Sequence, residues 1–308
     1  MTEAADLSVV IPTRDRWAIL ARTLHALGAQ TARGFETILA VDGEDQRIPE
    51  EVHSRPGTRV LTGPRGGPGL ARNRGVQAAE RPVILFLGDD MVPTPALVAR
   101  HLDHHRREPG PELAVLGHVE WHPEVADDRL LRWLDWSGSQ FDYRSLAASP
   151  PGDAGFGRFY ASNVSLKRAA FLGAGGFDPD FGTADYEDLD LGWRLYERGM
   201  RLRYEPGALA YHLHDYGWTE IERRYSNRAR AERLMLSKHD WFEPWFYNRI
   251  RFYASKPRVA RLWPLLADRV VHRTGPASAW TRERADRWYH QRLAPAFLSA
   301  WEDARARQ

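Results

Sequence analysis

The sequence predicts an α/β protein: a mostly parallel central sheet flanked by helices, with a helical C-terminal extension. Three observations carry this. Short apolar runs recur between Gly, Pro and Asp, and Val83-Ile84-Leu85-Phe86-Leu87 is apolar throughout, as in a strand buried on both faces. Segments with helical spacing alternate with these runs, which implies right-handed βαβ crossovers. After Trp218 the strand pattern stops, and helical segments rich in Arg and aromatic residues take over.

In order, Leu7–Pro12 is a buried strand, and Trp17–Gln30 a helix with Ile19, Leu20, Leu24 and Leu27 about one turn apart. Phe35–Val41 and Thr58–Leu61 are strands. Pro68–Ala79 is a helix opened by a Gly-rich run, and Val83–Leu87 is the central strand, with a helix over Thr94–Arg107. Glu112–Trp121 is a strand and Asp128–Trp136 a short helix. Ser137–Gly157, rich in Ser, Gly, Pro and Asp, reads as a long mobile loop. Tyr160–Leu166 is a strand, Lys167–Leu172 a helical turn, and Glu187–Arg198 a strong helix stopped by Gly199. Leu202–Tyr204 and Ala208–Tyr211 read as a short strand pair leading to His212 and His214. Trp218–His239 is a helix.

The 308 residues suffice for one large or two modest domains. The chain has no Cys, which excludes disulfides and thiolate metal sites and suits a reducing cytosol. No apolar run reaches the ~18 residues of a membrane span. The N-terminus has no basic region or cleavage site, so no signal peptide is expected. Net charge is +2, unevenly spread: Trp218–Gln308 holds 19 Lys and Arg against 10 Asp and Glu, and the rest of the chain 24 against 31. That pattern suggests an acidic, metal-using part and a basic tail facing something anionic.

Chemistry concentrates at strand ends. Asp15, Asp42 and the pair Asp89-Asp90 each fall at or just past the carboxyl end of an expected strand, where ligands of open α/β sheets bind. One such Asp is usually a helix cap; three strand ends supplying carboxylates to one edge favour a nucleotide cleft. Adjacent carboxylates in a partly dry site repel, and a divalent ion with oxygen ligands resolves the repulsion. A second acidic group, Asp185, Glu187 and Asp188, opens the helix carrying Leu189, Trp193 and Tyr196. Negative charge there suits the helix dipole, and Arg194 can pair with Asp190 one turn back. A carboxylate at that helix start could also take a proton from an attacking hydroxyl.

The set LSVVIPTRDR, Asp42, ARNRG, FLGDD, ASNVSLKR, GGFDPDF and YEDLDLGWRL resembles glycosyltransferase family 2 over roughly Leu7–His214. The resemblance implies the GT-A fold, a Rossmann-like nucleotide-binding sheet (about 1–120) with an acceptor half (about 121–217), followed by the extension at 218–308. It implies that Asp42 recognises the nucleotide base with help from Pro12, Thr13, Arg14 and Asp15, and that Arg72 and Asn73 sit against the nucleotide. Asp89-Asp90 matches the family's D-x-D metal motif with Gly88 in its first acidic place, leaving Asp90 to hold Mg²⁺ or Mn²⁺ and Asp89 for ribose or a metal-bound water. Asp188 matches the catalytic base, Glu187 its neighbour that orients the acceptor, and His212 or His214 a late metal ligand. The implied reaction is transfer of one sugar from a nucleotide-diphosphate donor to a sugar or lipid-linked glycan, in cell-surface polysaccharide or glycoconjugate synthesis. UDP is the expected carrier, with dTDP and GDP open. A metal to neutralise the departing diphosphate and one free carboxylate opposite predict inversion by a single displacement. The processive-synthase pattern Q-x-x-R-W is absent, and Glu222-Arg223-Arg224-Tyr225 only faintly echoes it.

Trp241–Tyr247 packs five aromatics into seven residues, with Arg249, Arg251, Lys256 and Arg258 after them. This reads as a helical cap with snorkelling Arg, or as a peripheral contact with an anionic membrane. No nucleic-acid module is present. The expected location is cytoplasmic, with peripheral placement on the inner face of the membrane as the alternative. Competing functions are a catalytically impaired nucleotide-sugar-binding scaffold and a nucleotidyltransferase. The latter would want a Gly-rich basic loop where Thr13-Arg14-Asp15-Arg16 stands. The run Gly63–Gly69 is not a phosphate fingerprint, since it lacks the Lys-Ser/Thr ending.

Overall fold

The computed structural model describes residues 6–147, 152–182, 185–269 and 275–306, which form two compact units. The first unit comprises 1–124 and 143–214, the second 125–142 and 215–308. The boundary expected from the sequence was 217/218.

The first unit is built on an eight-stranded sheet: β1 (Leu7–Thr13), β2 (Glu36–Val41), β3 (Thr58–Leu61), β4 (Val83–Leu87), β5 (Met91–Pro93), β6 (Leu113–Trp121), β7 (Asn163–Lys167) and β8 (Arg201–His212). The strand order is β3-β2-β1-β4-β7-β6-β8-β5. The pairings β1–β2, β1–β4, β2–β3 and β6–β8 are parallel. The other three are antiparallel, with β7 running against both β4 and β6 and β5 against β8. Every residue of β1 and β4 is buried. The helices of this unit are α1 (Trp17–Gly28), α2 (Glu50–His53), α3 (Pro68–Ala78) and α4 (Leu97–Arg107), with α6 (Tyr143–Ala147), α7 (Arg168–Gly173) and α8 (Glu187–Tyr196) following α5 of the second unit. Helix α3 lies close on β1 because Gly75 faces it: a Cβ there would come within 2.4 Å of Val10 Cγ1.

Two sequence expectations change here. The strand pair at 202–211 is one strand, β8, which runs through Pro206-Gly207 on a bulge. Its register against β6 jumps from Gly117↔Glu205 to His118↔Leu209, and a bulge is where a strand tolerates Pro. Asn163 supports the bulge by donating Nδ2 to His118 O (3.1 Å) and Ala208 O (2.9 Å). Its Oδ1 meets His101 Nε2 at 3.0 Å. Gly117 makes room, since a Cβ there would lie 2.2 Å from Asn163 Nδ2. The stretch expected as a long mobile loop over Ser137–Gly157 instead holds α6 and a 3₁₀ turn at Phe156–Arg158, and its residues 148–151 lie outside the described residues.

The second unit is helical: α5 (Arg129–Trp136), α9 (Trp218–Lys238), α10 (Trp245–Ala254), α11 (Leu262–Asp268) and α12 (Pro276–Arg305). Its core is aromatic. Trp133 stacks on Tyr289 at 4.3 Å, and Tyr247 on Trp301 at 4.0 Å. Buried Glu232 accepts from the Phe246 and Tyr247 amides (2.8 and 2.9 Å), satisfying N–H groups that have no acceptor within the first turn of α10. Buried Asp286 takes Trp133 Nε1 and Arg249 Nη2. Among the described residues no helix is long and apolar enough to cross a membrane.

Candidate active site

Because β1, β2 and β4 are parallel, their carboxyl ends share one sheet edge, and the acidic residues collect there. Asp89 follows β4 and is bonded by Thr13 Oγ1 (2.8 Å) from the end of β1. The Gly88 amide donates to Ser162 O, tying the turn to the start of β7. Thr23 of α1 holds the Asp89 carbonyl (2.8 Å). The acid pair is thus fixed from three directions.

Asp90 meets the end of β8. Its Oδ2 lies 3.2 Å from His212 Nε2 and 3.0 Å from His214 Nδ1, and Trp121 stacks on the His212 ring at 4.7 Å and 13°. Antiparallel pairing of Met91 with His212 delivers both His residues to this point. One carboxylate oxygen and two imidazole nitrogens, all within 4.8 Å of one another, form a set that could hold a metal ion. The chemistry fits a divalent ion: neutral imidazole and ionised carboxylate are both ligating forms. The sequence left His212 and His214 as alternatives; the structure brings both to the same oxygen.

Arg16, a residue not singled out from the sequence, lies among these groups. Its Nη1 is 2.9 Å from Asp90 Oδ2 and 2.9 Å from His214 Nδ1, its Nε is 3.2 Å from Asp89 Oδ2, and its Nη2 pairs with Asp89 Oδ1. Burial pushes Asp89 up to about 6, with the Arg16 charge opposing and the Asp90 charge adding. Burial acts on Asp90 in the same direction, but His212 and Arg16 override it and hold the carboxyl well below its ordinary value.

The second acidic group opens α8. Buried Glu187 pairs with buried Arg72 of α3 (3.1 Å). Burial raises the Glu187 carboxyl against the pull of Arg72. Asp188, partly buried, accepts from the Leu189 amide (2.8 Å). Burial, and then the neighbouring Glu187 charge, push it up to about 7. Tyr186, just before it, has φ 68°, and Asp15, just past β1, has φ 54°; these are the two described non-Gly residues with positive φ. Left-handed backbone costs such residues about 1 to 3 kcal/mol; one of them leads into the acidic start of α8, the other into Arg16 and α1. The turn Asp190–Arg194 is structural: Arg194 holds Asp190 at 2.6 Å and donates to the Gly176 carbonyl.

The remaining sequence-predicted residues divide. Asp42 is buried at the end of β2, and its carboxylate accepts from the Gly66 (2.7 Å) and Gly67 (3.1 Å) amides, fixing the Gly-rich entry to α3. Arg14 donates to the Asp42 carbonyl (2.5 Å). Pro12 is buried within β1. Asp15 is not brought to the acid pair: its carboxylate is exposed, 3.6 Å from Arg14 Nε. Asn73 exchanges two hydrogen bonds with the Phe177 backbone, both 2.8 Å, and so braces the turn that precedes α8.

Residues 8–159 match the profile of glycosyl transferase family 2. The chain belongs to that family. Validoxylamine A glucosyltransferase of Streptomyces hygroscopicus subsp. jinggangensis (strain 5008) is 31% identical over 234 residues, covering 63% of this chain and 52% of that protein. The chain spans about half the length of the curated relatives it matches. Among solved structures, residues 1–349 of TarS from S. aureus align with a TM-score of 0.57 at 15% identity, over 98% of this chain and 92% of that one. A mannosyltransferase from Pyrobaculum calidifontis, solved with GDP-Man and Mn²⁺, aligns with a TM-score of 0.58 at 14% identity, over 96% and 88%. These likenesses establish the GT-A fold that the family 2 motifs implied.

Proposed function

We propose that this family 2 chain transfers one glycosyl group from a nucleotide-diphosphate sugar to an acceptor hydroxyl, with inversion at the anomeric carbon. The observation that carries the reading is two kinds of carboxylate, one just past β4 and one at the start of α8. Asp90 is kept ionised beside two imidazoles. Asp188, with its carboxyl pushed up to about 7, is poised to accept a proton near neutral pH.

Asp90, His212 and His214 are the residues that would hold the ion. Two imidazoles favour Mn²⁺ over Mg²⁺, which prefers an all-oxygen shell. When bound, such an ion neutralises charge on the departing diphosphate. Asp188 takes the proton of the attacking hydroxyl while that oxygen forms its bond to the anomeric carbon and the sugar–phosphate bond breaks. Glu187 acts through Arg72, holding the start of α8, and with it Asp188, against α3. Asp42, Arg14 and the Gly66–Gly67 turn frame the nucleotide end of the cleft. The glucosyl transfer named for the Streptomyces relative supports a hexosyl donor. UDP, dTDP and GDP all remain donor carriers within this reading, and the acceptor is a sugar or a lipid-linked glycan. A peripheral position on the inner face of a membrane belongs to the same proposal.

The test is a panel of UDP-, dTDP- and GDP-hexoses with Mn²⁺, followed by NMR of the product anomer. Inverted product that requires Asp90 and Asp188 supports the proposal. Retained configuration, or full turnover in Asp188→Asn, rejects it.

A further inference from the structure

We propose that Arg16 is an exchangeable counter-cation: it neutralises the acid pair when no divalent ion is bound, yields that place to the ion, and then pairs with the donor's diphosphate. This rests on the metal-dependent reading above and adds a residue which that reading does not use.

The geometry is specific. Arg16 Nη1 is 2.9 Å from Asp90 Oδ2 and 2.9 Å from His214 Nδ1, two of the three atoms that could ligate an ion. His214 Nδ1, in the form that can ligate, has a single in-plane lone pair, which serves either an N–H donor or a metal. The guanidinium and the ion therefore compete for that atom and for the negative charge of Asp90. Arg16 also reaches Asp89 through Nε and Nη2, so one side chain spans both carboxylates as a bridging cation would.

Release is structurally open. Arg16 precedes α1 as the residue before its first turn, and its side chain is 36% exposed. A guanidinium that has lost two carboxylates to a divalent ion needs another anion. Phosphate oxygens are its best geometric match, because its planar fork binds them in pairs. The arriving donor supplies that group beside the ion. Metal and diphosphate binding are then positively coupled through Arg16, each lowering the cost of the other.

The probe is Mn²⁺ alone, followed by electron paramagnetic resonance of the free ion, with the wild-type chain, Arg16→Gln and Asp90→Asn. Arg16→Gln should bind Mn²⁺ roughly tenfold or more tightly without nucleotide, the equivalent of a lost charge-assisted contact. Loaded with Mn²⁺, it should then bind a nucleoside diphosphate at least about tenfold more weakly than wild type. That second arm uses whichever of UDP, GDP and dTDP the wild-type chain binds. Mn²⁺ affinity unchanged or weakened in Arg16→Gln, with Asp90→Asn still abolishing it, overturns the exchange and leaves the metal site standing. Asp90→Asn binding Mn²⁺ like wild type overturns both. Unchanged diphosphate affinity, or no binding of any of the three by wild type, removes the second half of the proposal. Should Arg16→Gln fail to fold, Arg16→Met carries the same test, since it keeps an unbranched stem and removes both the charge and the contacts made by Nε, Nη1 and Nη2.

Discussion

Asp188→Asn should remove most turnover and yet stabilise the chain above neutral pH. Burial and the adjacent Glu187 push the Asp188 carboxyl up to about 7, against roughly 3.9 in an unfolded chain. Between those values the unfolded chain gives up a proton that the folded chain keeps. The unfolded state then binds fewer protons, so stability falls as pH rises through the window, and the full penalty is present above about 7. A gap that wide is worth roughly 4 kcal/mol. Asp188 is only partly buried and shares its titration with Glu187, so about half of that, ~2 kcal/mol, is the expected gain. Asn has nearly the same shape, cannot ionise, and can still accept from the Leu189 amide. At roughly 2 to 4 °C per kcal/mol, the melting point should rise by about 4 to 8 °C at pH 8.5 and be unchanged at pH 4. Turnover should fall by about 10² to 10⁴, as for loss of a general base. Calorimetry across the pH range with a donor-consumption assay reads both. Equal melting points at pH 8.5 would refute the buried-charge argument; equal turnover would refute the assignment of the base.

Other outcomes follow from the same structure. Arg72→Ala leaves Glu187 buried without its cation and should cost about 3 kcal/mol in urea unfolding at pH 8. The cost should shrink as pH falls, because protonating Glu187 removes the buried charge that Arg72 balances; a loss independent of pH would deny the pairing. Asn163→Ala strips His118 O, Ala208 O and His101 Nε2 of a partner at the bulge, for a loss of about 2 to 4 kcal/mol. A variant as stable as wild type would show that the bulge does not depend on that amide. Phe252, Leu262, Leu265 and Trp280 are exposed, and no acidic residue occurs between Pro244 and Ala267, a stretch with five Lys and Arg. The chain should float with anionic vesicles at low salt, and changing these four apolar residues to Ser should abolish flotation. A wild-type chain that stays in the pellet fraction removes the membrane contact.

Much of the first unit was legible because its signals are local. β1 and β4 are apolar along their whole length, and the acid pair stands where β4 stops. β8 was split in two because Pro206-Gly207 looks like a turn; only the partner strand, with Gly117 and Asn163, shows that it is a bulge. β5 has three residues, too few for any period, and exists through its pairing with β8. The aromatic run Trp241–Tyr247 reads alike for membrane contact and for core. In the structure Phe242 and Phe246 are buried and Tyr247 stacks on Trp301, while Trp245 of the same run is exposed. Arg16 was missed for a topological reason. Its partners stand more than seventy residues further along the chain, and β1 lying beside β4 is what joins them. The signal was present: a cation just past the end of a buried strand.

The account turns on whether Asp90, His212 and His214 bind the ion beside which the sugar is transferred. Anomalous scattering from crystals grown with Mn²⁺ and a nucleoside diphosphate measures this directly. The prediction is one peak coordinated by Asp90 Oδ2 and both imidazoles, with Asp188 facing it across space for a hexose. Mn²⁺ bound only elsewhere, or Asp188 turned away from it, would contradict the account.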